Sequence, residues 1–530
     1  MCAYKCNYIC HVNFLLEILL VAAYASLFIF LIAKMKFFEC EGISRKAIQG
    51  VFILKILFGV LLSLIYTFYY TDRSTADIYK YFDDSKVMFD ALFTKPLDYF
   101  QILFGIGNDT PYFDVYYNQM NHWYREYDSN LYNDSHTIIR FNAVIRLFSM
   151  GVYNVHTVFM CFLSLLGLSA IYKTFIPVMK EKSLLLFGAV FLIPSVLFWG
   201  SGVLKEGLLF FGLGFLIYYS PTLSLPKEER TAIVKSIFWV VFSIVLLALT
   251  KFYVAIAVIP ALLANYWISL TPNPSPNGEG SKGVLMKYIL SYLTLFTIGL
   301  LATNSLEVLV QKQKDFINLA NGGTYLQRIT EEKTDTVYIA ADLHEQMDIN
   351  RKTKKVEITG KIDYCKVWTN GKLGEETEFA GAKNFKETEY RLLLDYGKTG
   401  STIEIQKLEA NILSFLKATP KALYNTFFRP FFFESFSPFI LMAGFENLFI
   451  ILLTIAAIIF ADKKVLNEKL FWLCVFFTLV IFALTGLITP VIGAIVRYKI
   501  AALPLLLIAL FILIDKDKLT SKLPFTKRFF

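Results

Sequence analysis

Apolar segments of about 18 to 20 residues recur along this 530-residue chain, and they limit its fold more than any other feature. A segment of that length crosses the roughly 30 Å hydrocarbon layer of a bilayer as a helix. Inside the bilayer the backbone must satisfy its own hydrogen bonds, which favours α-helices. The sequence therefore predicts an all-α polytopic membrane protein with about 11 transmembrane helices. The predicted spans cover residues 13–33, 50–70, 153–172, 184–200, 203–220, 236–250, 252–270, 284–303, 438–461, 470–488 and 498–514.

The charge pattern predicts how these spans are oriented. The chain has a net charge of +9, and its basic residues concentrate in every second short loop and in the C-terminal tail. The positive-inside rule explains this excess, so no nucleic-acid partner is expected. For a multi-pass protein the rule predicts the N-terminus outside and the C-terminus in the cytoplasm.

Two long hydrophilic segments then fall on the extracytoplasmic side. The first, about 71–137, is acidic and aromatic, and the second, about 304–435, is long enough for a small α+β insert. The predicted organisation is two transmembrane helices (1–70), an acidic and aromatic loop with interfacial helices (71–152), a six-helix block (153–303), the extracytoplasmic insert (304–437), and three C-terminal helices with a basic cytoplasmic tail (438–530).

Asp77, Asp83 and Asp84 are the first candidates for catalysis. If 75–92 is helical, Asp77 and Asp84 share one face because they are seven residues apart, and Asp83 lies on the adjacent face. Close carboxylates at a water–membrane boundary can hold a divalent cation, or one of them can serve as acid or base. Asp77 and Asp84 are therefore also candidate metal ligands. The alternative is a solvated acidic face beside aromatic anchors.

Lys205 and Glu206 follow a short Gly- and Ser-rich turn and open a predicted span. Ionisable groups close to the hydrocarbon are costly unless they pair or face a wet cavity. The small residues of the turn allow a ligand or a neighbouring helix to approach closely. We therefore expect both residues to bind substrate. The alternative is a tight turn with a lysine that snorkels to the interface.

Three further places could contribute to substrate binding. Arg497, followed by Tyr498, lies on the predicted outer side against the positive-inside trend, and a guanidinium can clamp a phosphate. Arg429 and Glu434 flank an aromatic run that suits a saccharide site, although a plain aromatic belt is equally consistent with it. Arg140 lies in an amphipathic run and could face lipid headgroups or a lipid-phosphate substrate. The alternative for Arg497 is interfacial snorkelling.

Three segments together resemble membrane polymerases of exopolysaccharide and O-antigen, and the wider GT-C class of lipid-phosphate-sugar-dependent glycosyltransferases. They are the Asp77-Ile-Tyr79 loop after the second span, the Pro-Ser…Phe-Trp-x-Ser-Gly…Lys-Glu segment at 194–206, and Arg497-Tyr498 before a last span that contains Pro504. The resemblance covers roughly 70–300 and 420–510 but not the insert around 335–400. GT-C enzymes usually place the acidic loop after the first span. Its position after the second span here favours the polymerase-like branch or an extra N-terminal span.

The resemblance implies a polyprenyl-phosphate-linked sugar or oligosaccharide as donor, used on the outer face of the cytoplasmic (inner) membrane to make cell-surface polysaccharide or glycan. Asp77 would be a general base or metal ligand, supported by Asp83 or Asp84. Lys205 and Arg497 would hold the donor phosphate and stabilise the charge of the leaving group. No nucleotide sugar would be needed, and a divalent cation is the one cofactor considered.

Two other functions are consistent with the sequence. A transporter or flippase of lipid-linked saccharides should show inverted repeats and broken helices, and no clear internal repeat is visible. A non-catalytic membrane assembly subunit would use 304–435 to bind other envelope-polysaccharide assembly proteins.

Overall fold

The computed structural model describes residues 2–70, 73, 76–123, 132–224, 230–270, 281–330, 334–350, 353–362, 364–369, 372–377, 389–396, 399–434 and 437–524. Within these ranges the chain is mostly helical and contains one antiparallel sheet. The helices before the sheet are α1 (Cys2–Lys34), α2 (Arg45–Phe68), α3 (Asp77–Thr94), α4 (Pro96–Phe104), α5 (Asp114–Tyr117), α6 (Ser135–Ser149), α7 (Tyr153–Phe175), α8 (Ser183–Phe191), α9 (Pro194–Trp199), α10 (Lys205–Tyr219), α11 (Arg230–Thr250), α12 (Phe252–Leu270), α13 (Ser281–Ala302) and α14 (Ser305–Ala320).

The sheet occupies the middle of the predicted insert. Its strands are β1 (Gly323–Ile329), β2 (Thr334–Ala340), β3 (Met347–Asn350), β4 (Lys355–Ile358), β5 (Tyr364–Thr369), β6 (Lys372–Thr377) and β7 (Glu389–Tyr396). They lie in the order β3-β4-β7-β1-β2-β5-β6, and every described pair is antiparallel. Leu326, Val337 and Val367 are among the residues that form a separate apolar core on this sheet. The prediction of a small insert that contains strands is therefore confirmed.

Six helices follow the sheet: α15 (Ile412–Phe428), α16 (Pro438–Ile459), α17 (Lys469–Ile488), α18 (Ile492–Lys499), α19 (Leu503–Leu513) and α20 (Lys516–Lys522). Among the described residues, eight helices are long and apolar enough to cross a membrane. They are α1, α2, α7, α11, α12, α13, α16 and α17, and a ninth crossing results if α18 and α19, bent by 64°, are counted as one span. The predicted number of about 11 is not confirmed.

The three remaining predicted spans differ for physical reasons. The segment 184–200 divides into α8 and α9 just before Pro194, since proline lacks an N–H and disfavours helix at the residue before it. The segment 203–220 forms the 15-residue α10, in which 13 residues are buried. A helix enclosed by protein has an apolar composition without needing the length of a lipid-facing span. The last predicted span is the bent pair α18 and α19.

Close packing of α7 against α10 fixes the position of Lys205 and Glu206. A methyl group at Gly214 would overlap the carbonyl oxygen of Gly167, so the two helices cross at van der Waals distance because both positions are glycine. Glycine at such crossings is typical of membrane helix pairs. The N-terminus of α10 is thereby held against α7, enclosed by the neighbouring helices.

Contacts between loops define two ends of the helix assembly. At one end, Lys180 pairs with Glu41 at 3.0 Å, and Lys182 Nζ donates to the carbonyl oxygen of Phe511 at 2.8 Å. Lys180 and Lys182 lie between the predicted spans 153–172 and 184–200, in one of the short basic loops that are predicted to be cytoplasmic. At the other end, Phe439 stacks on Tyr70 and contacts Phe198. This second end carries the candidate site.

The region 76–152 is a packed part of the second end. Its helices α3, α4 and α6 share an apolar core with α7 and α10, to which Met88, Tyr99, Ile138, Met160 and Leu208 contribute. The helix on which the carboxylate faces were argued is present from Asp77 onward, because α3 covers Asp77–Thr94. Side chains on α3 are therefore placed rigidly against the spans.

Candidate functional site

Arg497 joins two carboxylates that are far apart in sequence. Its Nη1 donates to Asp77 Oδ2 at 2.8 Å, and its Nε donates to Glu206 Oε1 at 2.7 Å. A second bond, from Nη2 to Glu206 Oε2 at 3.3 Å, makes the contact with Glu206 bidentate. The start of α3, the start of α10 and the end of α18 thus converge on one guanidinium.

Two lysines extend this arrangement. Lys205 Nζ lies 2.7 Å from Asp134 Oδ1 and 3.2 Å from Ser135 Oγ. Lys251 Nζ, between α11 and α12, lies 3.7 Å from Glu206 Oε1. Three cations and three carboxylates therefore meet at this end of the helices. We refer to these six residues as the charged cluster: Asp77, Asp134, Lys205, Glu206, Lys251 and Arg497.

Aromatic rings surround the cations of the charged cluster. The Arg497 guanidinium lies 5.6 Å from the ring centre of Trp199, and Lys205 Nζ lies 5.2 Å from that of Tyr81. Lys251 Nζ lies 4.8 Å from the ring centre of Tyr498. Cations over aromatic faces retain part of the stabilisation that they lose on leaving water.

Solvent reaches the charged cluster mainly at its two aspartates. The side chains of Asp77 and Asp134 are 35% and 42% exposed, whereas that of Glu206 is 1% exposed. Lys205 and Lys251 are 7% and 8% exposed at their side chains. A polar ligand would therefore enter along Asp77 and Asp134 and meet the cations behind them.

Both accessible carboxylates are held ionised. Burial alone would raise the pKa of Asp77, but His122 and the Arg497 guanidinium hold it well below its usual range. Burial likewise opposes ionisation of Asp134, yet Lys205 and Lys251 lower its pKa from 3.8 to about 2. Nearby cations outweigh desolvation at both positions.

Asp84 is buried and has a different environment from Asp77. Its carboxylate accepts from the backbone N–H of Asn121 at 2.7 Å, from Asn121 Nδ2 at 2.9 Å and from the backbone N–H of His122 at 2.8 Å. Burial raises its pKa against the effect of these bonds. Asp84 thus fastens the 121–122 segment to α3.

Asp83 points away from Asp84 and forms an ion pair with Arg73. Arg73 donates to its two oxygens at 3.0 and 2.7 Å, and both side chains are more than 40% exposed. The prediction that Asp83 would lie on the face adjacent to Asp77 and Asp84 agrees with this placement. Its contacts lie outside the charged cluster.

Two other predicted binding regions lie in separate contacts. Arg140 donates to the Ile102 carbonyl oxygen at 2.8 Å and to Tyr132 Oη at 2.9 Å, within the region 76–152. Arg429 pairs with Glu434 at 2.9 Å. Of the ten predicted site residues, the structure brings Asp77, Lys205, Glu206, Arg497 and Tyr498 together.

Asp134, Lys251 and His122 are site residues that the sequence analysis did not select. Lys251 separates two predicted spans on the predicted outer side, so it departs from the positive-inside trend as Arg497 does, and that departure could have identified it. His122 Nε2 lies 3.4 Å from Asp77 Oδ1. No sequence pattern singles out His122, because its place depends on how 121–123 packs on α3.

The arrangement provides carboxylates and cations but no evident metal centre. Among the described residues, no group of three or more His, Cys, Asp and Glu side chains is placed to hold a metal ion. The assignment of Asp77 and Asp84 as metal ligands stays a prediction. The chemistry that the described side chains offer is anion binding and proton transfer.

Comparison with known proteins adds no relative: no family model matches this chain, and no curated protein and no solved structure is significantly similar to it.

Proposed function

We propose that the protein is a membrane glycosyltransferase or polysaccharide polymerase that uses a polyprenyl-phosphate-linked sugar donor for cell-surface polysaccharide or glycan synthesis. The observation that carries the proposal is the position of Arg497 between Asp77 and Glu206, with Lys205 and Lys251 beside it. A glycosyl transfer from a lipid phosphate needs cations for the leaving phosphate and an acceptor for the proton of the attacking hydroxyl. The charged cluster offers both within one partly open site.

The cations fit a donor that carries phosphate. Lys205, Lys251 and Arg497 are largely enclosed, and ion pairs gain strength where water is excluded. As the bond from the anomeric carbon to the phosphate breaks, negative charge grows on the phosphate oxygens, and fixed cations stabilise it. Asp77, on the open side, then faces the sugar and the acceptor.

The proposal includes the membrane orientation that the basic loops predict, with the charged cluster on the outer face. Lys180 and Lys182, from those loops, lie at the end away from the charged cluster. By the positive-inside rule this end is cytoplasmic, so the charged cluster is on the outer face and the C-terminus is inside.

Labelling of an Asp83→Cys variant with an impermeant thiol reagent tests this orientation, since Asp83 is exposed. Protection from external reagent in intact cells would reverse the sidedness.

The decisive experiment separates synthesis from transport. Purified protein is placed in liposomes that contain a lipid-linked oligosaccharide, and product length and the leaflet position of the lipid are both measured. Synthesis predicts longer saccharides from the wild type. Asp77→Asn should lower the rate by about 10²–10⁴-fold, the usual effect of disabling general acid–base catalysis.

Asp90→Asn is the matched control, because Asp90 is an exposed carboxylate on the same helix and pairs only with Lys86 in the contacts described for it. It should extend chains at the wild-type rate. Movement of the lipid across the bilayer without new glycosidic bonds would refute the enzyme.

A flippase remains the second candidate because of two interrupted helices. α9, which follows the break after α8, ends at Trp199 beside Arg497, and the 64° bend between α18 and α19 comes just after the helix that carries Arg497. Broken helices often form binding sites in transporters. The liposome measurement above distinguishes this function by its leaflet readout. The enzyme is favoured by the accessible carboxylate of Asp77 beside His122.

A further inference from the structure

The segment that carries His122 is anchored more firmly than a surface loop requires. Asp84, 1% exposed, uses both carboxylate oxygens to bind the backbone N–H groups of Asn121 and His122. The imidazole packs against Tyr81, with ring centres 5.3 Å apart. Backbone and ring are thus both fixed on α3, the helix that begins with Asp77.

The anchored imidazole is directed at Asp77. Nε2 of His122 is buried and faces Asp77 Oδ1 across 3.4 Å. A ring nitrogen that faces a carboxylate carries the proton of the neutral imidazole, which leaves the other ring nitrogen as the proton acceptor. The His122 side chain as a whole is 14% exposed.

Asp77 alone is a poor proton acceptor. The Arg497 guanidinium, 2.8 Å away, stabilises the ionised carboxylate and lowers its affinity for a proton. An imidazole beside a fixed carboxylate is the better acceptor, because the carboxylate orients the ring and stabilises the imidazolium that forms.

We propose that His122 is the catalytic residue that takes the proton of the acceptor hydroxyl, that Asp77 orients it, and that Asp84 is the positioning residue that holds it against Asp77. The inference rests on the proposed function. In the step, the acceptor oxygen bonds to the anomeric carbon, and the bond from that carbon to the lipid phosphate breaks. Its electron pair leaves with the phosphate, and the hydroxyl proton passes to Nδ1 of His122, the ring nitrogen that does not face Asp77.

The test compares initial transfer rates at saturating donor in liposomes for the wild type, His122→Gln, Asp84→Asn, the double variant and Asp90→Asn. His122→Gln should lower kcat by about 10²–10³-fold while the KM for the donor stays near the wild-type value. Asp84→Asn should lower kcat by about tenfold, because it loosens the segment without removing the imidazole. Asp90→Asn should behave as the wild type.

The double variant distinguishes positioning from general support of the fold. If Asp84 acts through His122, adding Asp84→Asn to His122→Gln causes no further loss, whereas a merely structural role gives the same factor in both backgrounds. Equal rates for His122→Gln and the wild type would overturn the inference and leave the proposed function standing. A wild type that transfers no sugar would overturn both. If Asp84→Asn does not fold, the kcat-against-KM comparison of His122→Gln decides alone.

Discussion

Two cations on α18, only two residues apart, have opposite environments. Arg497 bonds to the carboxylates of Asp77 and Glu206 in a site that solvent reaches. Lys499 is 2% exposed and donates to three oxygens that carry no charge: the carbonyls of Thr426 and Arg429, and Asn447 Oδ1.

The difference distinguishes a charged side chain that serves packing from one that belongs to a candidate functional site. Lys499, on α18, links this helix to α15 and α16. Its partners are Thr426 in α15, Arg429 just after α15 and Asn447 in α16. Its contacts account for its place as a packing element. Arg497 is surrounded by further titratable groups that are partly accessible, which is the pattern of a functional site.

The largest effect on stability is expected where a charged partner is removed from the charged cluster. Arg497→Met leaves Asp77 and Glu206 without their guanidinium, and breaking a buried ion pair in this way costs about 3–5 kcal/mol. The free energy of unfolding in detergent measures it. The double variant Arg497→Met/Glu206→Gln should recover part of the loss. No recovery would mean that Arg497 acts by packing, as Lys499 does.

A smaller loss of stability is expected at Lys499. Lys499→Met leaves three buried acceptors unpaired, which costs about 1–3 kcal/mol in the free energy of unfolding. Glycosyl transfer per folded molecule should stay near the wild-type rate, since none of the three acceptors belongs to the charged cluster. A variant that folds normally but transfers no sugar would erase the distinction between the two cations.

Acid should weaken the charged cluster in a defined direction. The pKa of Asp134 is lowered to about 2 in the folded protein from an ordinary 3.8, so its ionised form favours folding. That contribution is complete above about pH 4 and is lost as the pH falls towards 2. Unfolding temperatures measured across this range should fall less for Asp134→Asn than for the wild type. If the unfolding temperatures of the two proteins fall in parallel with pH, Lys205 does not stabilise the ionised Asp134 carboxylate in solution.

The smallest effect is expected at the exposed ion pair of α3. Asp83 and Arg73 form a carboxylate–guanidinium contact like that of Asp77 and Arg497, but in water. Exposed pairs contribute about 0–1 kcal/mol, so Asp83→Asn should change the free energy of unfolding by no more than that. A loss of unfolding free energy as large as that of Arg497→Met would mean that enclosure does not explain the different contributions of the two ion pairs.

Sequence reasoning predicted the members of the charged cluster better than the helices that carry them. Alternating loop charge placed Asp77, Lys205, Glu206 and Arg497 on one side, and the structure brings these four together. The span count is not confirmed, because hydropathy does not distinguish a lipid-facing helix from one enclosed by protein, as α10 is. The contact of His122 with Asp77 depends on tertiary packing around Asp84, which no local pattern encodes.

The most direct test of the account compares Arg497→Lys with Lys499→Met for the rate of sugar transfer from a polyprenyl-phosphate donor in liposomes, per folded molecule. Lysine keeps the charge at 497 but loses the fork that reaches both carboxylates. The account predicts a loss of about 10²–10³-fold for Arg497→Lys, the scale of a lost transition-state donor, and a near wild-type rate for Lys499→Met. Equal rates for the two variants would contradict it.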